Sequence, residues 1–459
     1  MKKLLPSILI AIFVLLLPLH TYASTFDEVR DIIELNYVGE INGDLNHATS
    51  IEEMIDMLDP YSAYFTRDEY YSYVNSINQT TIGIGVMIDK HEKGILILDV
   101  FQNGSAKNAG IEVGDIITAI NGQSTELMTI EQASSLITGE EGTSVSLNLL
   151  KTNGSTITIS VTRMPFIIDS VFSKLLYGNV GYIQFNTFSS TGVSEVKEAY
   201  QSLISKGATS FIIDLQNNGG GYVSTAEGLI GLFPGAVNAY KLRITEGVYT
   251  IAATSQSIQF PKNTRVLVNR FSASASEMTA ASLVDQNAAI LYGEKTFGKG
   301  TMQSFYQLSD GSILKLTVGE FFGPKGTIVN KTGIIPHYQT KSNPIYDAHY
   351  DSIIEKLKHY EKLNSLLEVP TTKQFSVNFN KKMILPEQAD AIELVKLGAE
   401  KIETKLSLSS DEKHITVSPK TPLQPGAEYM LIIHPTIQDK VGKKMKDGYY
   451  LRITVDSNE

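Results

Sequence analysis

Between Thr25 and about Asn78 apolar residues recur every three or four positions. Val29, Ile32, Ile33 and Leu35 to Val38 make one stripe, and Ile51, Met54, Ile55 and Leu58 make another. That period predicts two amphipathic helices. The second stops at Asp59-Pro60, because proline cannot continue a helix and biases the residue before it toward extended backbone. From about Thr80 the texture changes to short strands separated by glycine turns. Gly83 to Val86 opens a strand, Gly94 to Val100 is another, a helix is expected near Thr129–Ile137, and strands at Ser144–Leu150 and Ser155–Thr162 close the unit. From Ser170 to about Tyr338 apolar runs alternate with helical stretches. The runs Val180–Phe185, Ser210–Leu215, Arg265–Asn269 and Ala289–Tyr292 have the character of strands buried on both faces. Helices are expected near Val193–Lys206, Thr225–Leu232 and Glu277–Gln286, and this alternation predicts an α/β core. Asp347–Leu367 reads as one more helix, with Ile353, Ile354, Leu357 and Leu363 apolar and Pro370 ending it. Beyond it come short strands, among them Phe375–Phe379, His414–Val417, Tyr429–His434 and Tyr450–Val455. They predict a β-sandwich of roughly 90 residues.

The first 23 residues have a different character. Lys2 and Lys3 precede an apolar run from Leu4 to Leu19 that Pro6 and Pro18 interrupt, and Thr21-Tyr22-Ala23 places small residues at −3 and −1 of a cut. This is the layout of a secretory signal peptide. The alternative is an uncleaved anchor, for which the run is short against the ~20 apolar residues a span needs. Either way the body of the protein is expected outside the cytoplasm.

Composition then narrows the chemistry. The chain has 459 residues, 42% hydrophobic and 19% charged, enough for several buried cores. A net charge of −10 argues against nucleic-acid binding, which needs clustered Lys and Arg. No Cys is present, which excludes disulfides, thiolate nucleophiles, Cys-type zinc sites and iron–sulfur clusters. The eight His are scattered and form no HExxH, so no metal site is expected.

Two segments carry candidate chemistry. Asn269-Arg-Phe-Ser-Ala-Ser-Ala-Ser-Glu277 leaves a buried strand and leads into a helix, placing Ser274 near a helix N-terminus. Free N–H groups and the helix dipole favour negative charge there, so a nucleophile and an oxyanion site can be built together. An ordinary N-cap fits the same fragment. Gly293-Glu-Lys-Thr-Phe-Gly-Lys-Gly-Thr-Met-Gln303 sets Lys299 between two glycines. A solvated turn lysine or a phosphate-binding lysine fits that spacing, although no GxxxxGK[ST] pattern precedes a helix here. If desolvated, Lys299 can act as a neutral general base on Ser274, with Gln303 four residues on to aim the amine. A Ser–His–Asp triad lacks a GxSxG elbow. An SxxK pattern at Ser410-Asp-Glu-Lys413 sits in a turn without its companion motifs.

These motifs together resemble the carboxyl-terminal processing, or tail-specific, proteases, which use a Ser–Lys dyad. Carried across by motif, the resemblance implies Ser274 as nucleophile, Lys299 as general base and Gln303 as the residue that orients the lysine. It implies the Ala275 N–H as one oxyanion donor. Phe211-Ile-Ile-Asp-Leu-Gln-Asn-Asn-Gly-Gly-Gly221 resembles the family's strand followed by a Gly-rich turn, which makes Gly220 the second donor. Leu58-Asp-Pro-Tyr-Ser-Ala-Tyr-Phe65 is also typical of the family. The unit from about Thr80 resembles a PDZ domain through Ala109-Gly110, Gly114-Asp115 and Asn121-Gly122. There Gly83, Ile84, Gly85 and Val86 are the candidate loop and strand for binding a peptide C-terminus. Leu423-Gln-Pro-Gly-Ala-Glu-Tyr429 with Asp439-Lys-Val-Gly442 looks like bacterial Ig-like modules. The chain departs from the protease pattern at Gln216 (Arg is common), Gly219 (Pro), Thr138 (Arg) and His337 (Asp).

The expected fold is multidomain α+β. It comprises a signal peptide over 1–23, N-terminal helices over 24–78, a PDZ-like β domain over 79–165 and an α/β protease core over 166–345. A helical connector over 346–368 and an Ig-like β-sandwich over 369–459 follow. The expected function is an extracytoplasmic serine endopeptidase that cleaves proteins near their C-termini, the tail selected or gated by the PDZ domain, with no cofactor. Expected partners are protein or peptide substrates with free C-termini and a cell-wall or envelope contact through the Ig-like module. The helices are the candidate surfaces for a homodimer. The rival from another class is a non-catalytic envelope adaptor that binds protein C-termini.

Overall fold

The computed structural model describes residues 24–77, 80–101, 104–126, 128, 130–167, 170–340, 342–386 and 390–457. The expected signal segment, residues 1–23, lies outside the described residues. The described residues divide into two compact units, those from 24 to 67 with 303–318, and those from 68 to 302 with those from 319 to 457.

In the first unit the helix Thr25–Asn36 starts at Ser24, whose hydroxyl accepts from the Asp27 N–H at 3.2 Å. Its buried Val29 and Ile33 pack with Leu45, Met54, Leu58, Leu314 and Leu316. The helical reading of this region omits one strand. Ala63–Phe65 pairs antiparallel with Ile313, Leu314 and Lys315. Ahead of it Asp59 folds the Asp-Pro-Tyr-Ser turn by accepting from the Tyr61 N–H at 2.7 Å and the Ser62 N–H at 3.2 Å.

The second unit carries three folded parts. The first is a small β domain in strand order Val86–His91, Gly94–Val100, Ile116–Ile120, Ser144–Leu150, Thr156–Thr162, with the helix Ile130–Ile137. Arg163 caps that helix. Its guanidinium donates to the carbonyls of Ile137 (2.9 Å) and Leu136 (2.8 Å), where helix ends carry unpaired acceptors and partial negative charge.

The second part is the α/β core. Its six-stranded sheet runs Val171–Leu176, Val180–Phe185, Ser210–Asp214, Arg265–Val268, Ile290–Gly293, Tyr338–Gln339; the first strand is antiparallel and the rest parallel. Alternate residues serve different cores, as the two-residue period of a strand requires. Ile183, Phe185, Ile213, Val266 and Val268 pack on the face of the helices Gly192–Ser205, Val223–Ile230 and Ala275–Gln286. Val180, Tyr182, Ile212, Leu267 and Tyr292 pack on the face of the helix Pro344–Ile354. Burial on both faces is why these strands read as near-continuous apolar runs.

The third part is the C-terminal sandwich, a six-stranded and a three-stranded sheet. Here one expectation is corrected. The helix expected over Asp347–Leu367 spans Pro344–Ile354 only. Tyr360–Lys362 and Leu366–Val369 are strands, paired in parallel with Gly448–Val455. The apolar spacing of Leu357 and Leu363 looked helical, but hydrogen bonds to a strand some ninety residues downstream outweigh local propensity. The helix Pro344–Ile354 itself has two buried sides. Ile345 and Ala348 face the core sheet, and Tyr350 and Ile353 join Val395, Leu397, Met430 and Ile432 of the sandwich. His349, wholly buried, accepts the Gly398 N–H at Nδ1 (2.9 Å) and has Nε2 2.9 Å from the Tyr177 carbonyl.

Candidate active site

Three loops leave the carboxyl ends of adjacent parallel strands, the usual place for ligands in such a sheet. The first, after Ser210–Asp214, holds Gln216 to Gly221. The second, after Arg265–Val268, leads to Ser274. The third, after Ile290–Gly293, leads to Lys299.

Hydrogen bonds lock the first two loops together. The Ala273 N–H and the Ser276 hydroxyl both donate to the Asn218 carbonyl, at 3.0 and 2.8 Å. The Ser272 hydroxyl donates to the Leu215 carbonyl at 2.8 Å. The Asn217 N–H and Asn269 Oδ1 pair at 3.0 Å, and Asn269 Nδ2 donates to Asn217 Oδ1 at 2.9 Å.

Ser274 is half-buried and is the residue before the helix Ala275–Gln286, but its backbone is unlike that of an ordinary cap. Its φ is 56° and ψ is −112°, whereas N-caps sit in the extended region. A non-glycine residue held there stores roughly 1–3 kcal/mol, and such strain concentrates at functional sites. Ala275 is the first helical residue, so its N–H has no carbonyl to meet inside the helix.

Gly220 lies against Ser274. A Cβ on Gly220 would come within 2.9 Å of Ser274 Cβ and 3.1 Å of the Ala275 nitrogen, and its φ of 107° suits glycine alone. Its own N–H, however, donates to Asn218 Oδ1 at 2.9 Å. Asn218 is wholly buried and also donates Nδ2 to the Phe185 carbonyl at 2.7 Å. The position expected of Gly220 is therefore beside the serine, and its N–H is engaged in this conformation.

Lys299 is half-buried and flanked by two close approaches. A Cβ on Gly300 would meet the Asn330 nitrogen at 2.4 Å, and Gly298 has a φ of 102°. The Phe297 N–H donates to the Ser272 carbonyl at 3.1 Å, which joins the third loop to the second. Gln303 donates its side-chain nitrogen to Thr317 Oγ1 at 3.1 Å.

Reading the sequence gave no role to the residue that ties these segments together. Glu277 is fully buried. Its Oε2 accepts the N–H groups of Ser274 (3.0 Å) and Lys299 (2.8 Å), and its Oε1 accepts the Gly298 N–H and the Thr296 hydroxyl, both at 2.6 Å. Burial raises its carboxyl above the usual range, and the four donors pull the other way. A signal was present: Glu three residues after a serine is the capping-box pattern. Asp214, in the first loop's strand, is also buried. Burial pushes it up to about 6, against the Tyr182 hydroxyl (2.6 Å) and the Gln216 N–H (2.8 Å) that it accepts.

The expected peptide-binding residues form one corner of the small β domain. Gly83 ends the strand Thr80–Gly83, Ile84 is fully buried, and Val86 starts the strand Val86–His91. A Cβ on Gly85 would meet Gly104 Cα at 2.5 Å, at a φ of 78°. Val86–His91 is the edge of its sheet, with the helix Ile130–Ile137 among its neighbours. Of the departures, Thr138 lies against Gly83, its methyl 3.6 Å from where a Cβ would stand. His337 accepts the Leu291 N–H at Nδ1 (3.0 Å), a structural bond at the sheet's end. No cluster of His, Cys, Asp and Glu among the described residues could hold a metal ion.

The chain has likenesses to known families and proteins. Residues 179–340 match peptidase family S41, residues 96–151 the PDZ domain and residues 363–454 the bacterial Ig-like domain. Carboxy-terminal processing protease CtpA of Bacillus subtilis (strain 168) is 30% identical over 407 residues, covering 78% of this chain and 87% of that protein. The carboxyl-terminal-processing protease of Picosynechococcus sp. is 32% identical over 305 residues, 64% of this chain and 73% of that protein. The solved photosystem II D1 C-terminal processing protease aligns at 25% identity with a TM-score of 0.47, over 72% of this chain and 96% of that one. The adaptor reading gives way to an enzyme: the chain belongs to peptidase family S41, the serine-type carboxyl-terminal processing endopeptidases, with a PDZ domain before its core and an Ig-like module after it.

Proposed function

We propose that this protein is an extracytoplasmic endopeptidase that cuts protein substrates near their C-termini with a Ser274–Lys299 dyad, the tail being selected at the PDZ corner Gly83 to Val86. One observation carries the reading. A single buried carboxylate, Glu277, holds the backbone of Ser274 and the backbone of Lys299, and Ser274 is strained at the start of a helix.

Ser274 Oγ attacks the scissile carbonyl while Lys299 Nζ, as the neutral amine, takes its proton. The tetrahedral oxyanion receives the Ala275 N–H. Gly220 supplies the second donor once its N–H leaves Asn218 Oδ1, a local rotation of the Gly219-Gly220 peptide. Lys299 then gives the proton to the leaving amine, and water repeats the sequence on the acyl-enzyme. The family motif assigns Gln303 to aiming the lysine. Chemistry of this kind uses no cofactor. Export rests on the Lys2-to-Ala23 pattern, so envelope contact through the Ig-like module and pairing of two chains are proposals on that footing.

The test is cleavage of an unfolded protein with an apolar C-terminus, read by mass spectrometry, beside Ser274→Ala and Lys299→Ala. Cleavage is expected to vanish in both variants and to rise with pH as the lysine loses its proton. Cleavage that persists in Ser274→Ala, or a rate flat from pH ~6 to ~9, sinks the dyad.

A further inference from the structure

The C-terminal sandwich is open along one side, and the open side has the features of a peptide site. A groove of about 940 Å³ runs between the two sheets there, on the scale of pockets that hold ligands. Its floor is the module's own core, with Phe375, Leu431, Ile433 and Leu451 each less than 9% exposed, and Leu363 and Leu366 border it at 39% and 36% exposed.

One wall is an edge strand. Phe375–Asn378 ends the three-stranded sheet and, among the described residues, pairs only with His414–Pro419. In an antiparallel ladder every second residue turns its N–H and C=O to the partner. The Phe379 N–H donates to the Lys413 carbonyl, one step along the same register, so Phe375 and Val377 face the partner strand. Ser376 and Asn378 therefore aim their backbone groups at the open side. An unpaired edge of this kind is a template for an incoming strand.

The rim is basic in a chain that is acidic overall. Five lysines line the groove. Lys381 pairs with Asp439 at 3.2 Å and Lys446 lies 3.7 Å from Asp447. Lys373, Lys443 and Lys444 make no ion pair with another described residue; Lys443 and Lys444 are exposed and Lys373 is half-buried.

We propose that this groove binds an extended segment of another protein, with apolar side chains alternating with carboxylates, as an added strand on Ser376 and Asn378. Apolar side chains enter the floor, backbone groups pair with the edge, and the carboxylates meet Lys373, Lys443 and Lys444. A lipid surface would use the lysines but not the edge, and the apolar floor is recessed rather than projecting, so the observations favour a polypeptide. The site is independent of the protease reading.

The probe is a fluorescein-labelled heptapeptide of alternating Glu and Val, blocked at both ends so that a C-terminus-binding corner has nothing to hold. Binding to the full chain carrying Ser274→Ala, which prevents cleavage, is read by fluorescence polarisation. Saturable binding is expected, at least tenfold weaker for Lys443→Glu with Lys444→Glu. Ser376→Pro, which deletes a free-edge N–H but no ladder bond, is expected to weaken it by a similar factor. If Ser376→Pro fails to fold, slowed hydrogen exchange at the Ser376 and Asn378 amides on adding peptide reads the same contact. The proposal is overturned by no binding at millimolar peptide or by equal binding of a Lys–Val peptide. It is equally overturned by affinity unchanged in the lysine pair variant, or by binding to phosphatidylglycerol vesicles without binding to the peptide.

Discussion

Replacing Glu277 by Gln removes one charge and almost no volume, and it isolates what the carboxylate does. Four donors converge on it: the N–H groups of Ser274, Gly298 and Lys299 and the Thr296 hydroxyl. An amide has one accepting oxygen and one donating nitrogen. If the oxygen keeps Thr296 and Gly298, the NH₂ group meets the N–H groups of Ser274 and Lys299, donor against donor. If it flips, the Gly298 N–H loses its acceptor and the Thr296 hydroxyl, which already accepts the Ile334 N–H at 2.7 Å, has to turn. At least one buried N–H is left unpaired either way, at about 1–3 kcal/mol each. Two unpaired N–H groups come to roughly 3 kcal/mol, or a fall in Tm of about 6–12 °C on the scale of a 150–250-residue domain. Activity should fall further than stability, because the orientation that leaves Ser274 and Lys299 without acceptors releases both proposed catalytic segments. The assay is calorimetry beside kcat/KM on a tail peptide at a temperature where both proteins are folded. The expected result is a loss of at least 100-fold in kcat/KM. Wild-type Tm with activity within threefold would refute the argument that this carboxylate sets the geometry.

Further outcomes follow from the same contacts. Gly220→Ala puts a methyl 2.9 Å from Ser274 Cβ at a φ of 107° and should abolish cleavage. At neighbouring Gly219 a Cβ meets nothing within 4 Å, so Gly219→Ala should leave kcat within about twofold and raise stability by ~0.4–1 kcal/mol in denaturant melts. Asp214 is raised to about 6 by burial, so the folded state holds its proton more tightly than the unfolded chain. The stability it contributes is complete below about pH 4 and is lost as pH rises through about 6, a change of roughly 3 kcal/mol. Asp214→Asn should flatten that part of the stability–pH curve, and an unchanged slope would contradict the assignment. Arg163→Ala strips the cap from the helix Ile130–Ile137 and should lower the protection of the PDZ amides by about 3 kcal/mol in hydrogen exchange while leaving that of the α/β core unchanged.

How far these features could be read from the sequence depended on the range of the interaction behind each. Val180–Phe185 and Ser210–Asp214 were plain because burial on both faces writes a continuous apolar run into a local window. The strands Tyr360–Lys362 and Leu366–Val369 were not, because the strand they pair with, Gly448–Val455, lies far along the chain. The site divides in the same way. The motif spacing marked out Ser274, Lys299 and Gly220 as candidates. The φ of Ser274, the capture of the Gly220 N–H by Asn218 and the convergence on Glu277 are three-dimensional facts. Thr296, Gly298 and Lys299 stand about twenty residues from Glu277, beyond any local pattern.

The helix Pro344–Ile354 was described as packing on two sides, and that has a practical meaning. Sequence matching leaves residues 341–362 unassigned between the protease core and the Ig-like module. The physical seam runs through the helix itself, with Ile345 and Ala348 given to one part and Tyr350 and Ile353 to the other. A protease excised at that seam would carry a bare aromatic and aliphatic stripe into solvent, and the released module would lose the wall on which Met430 and Ile432 rest. Neither piece should be soluble alone without redesign of that stripe, and in the intact chain the two should melt in a single transition. The module thus behaves as part of the enzyme's body rather than as a tethered accessory.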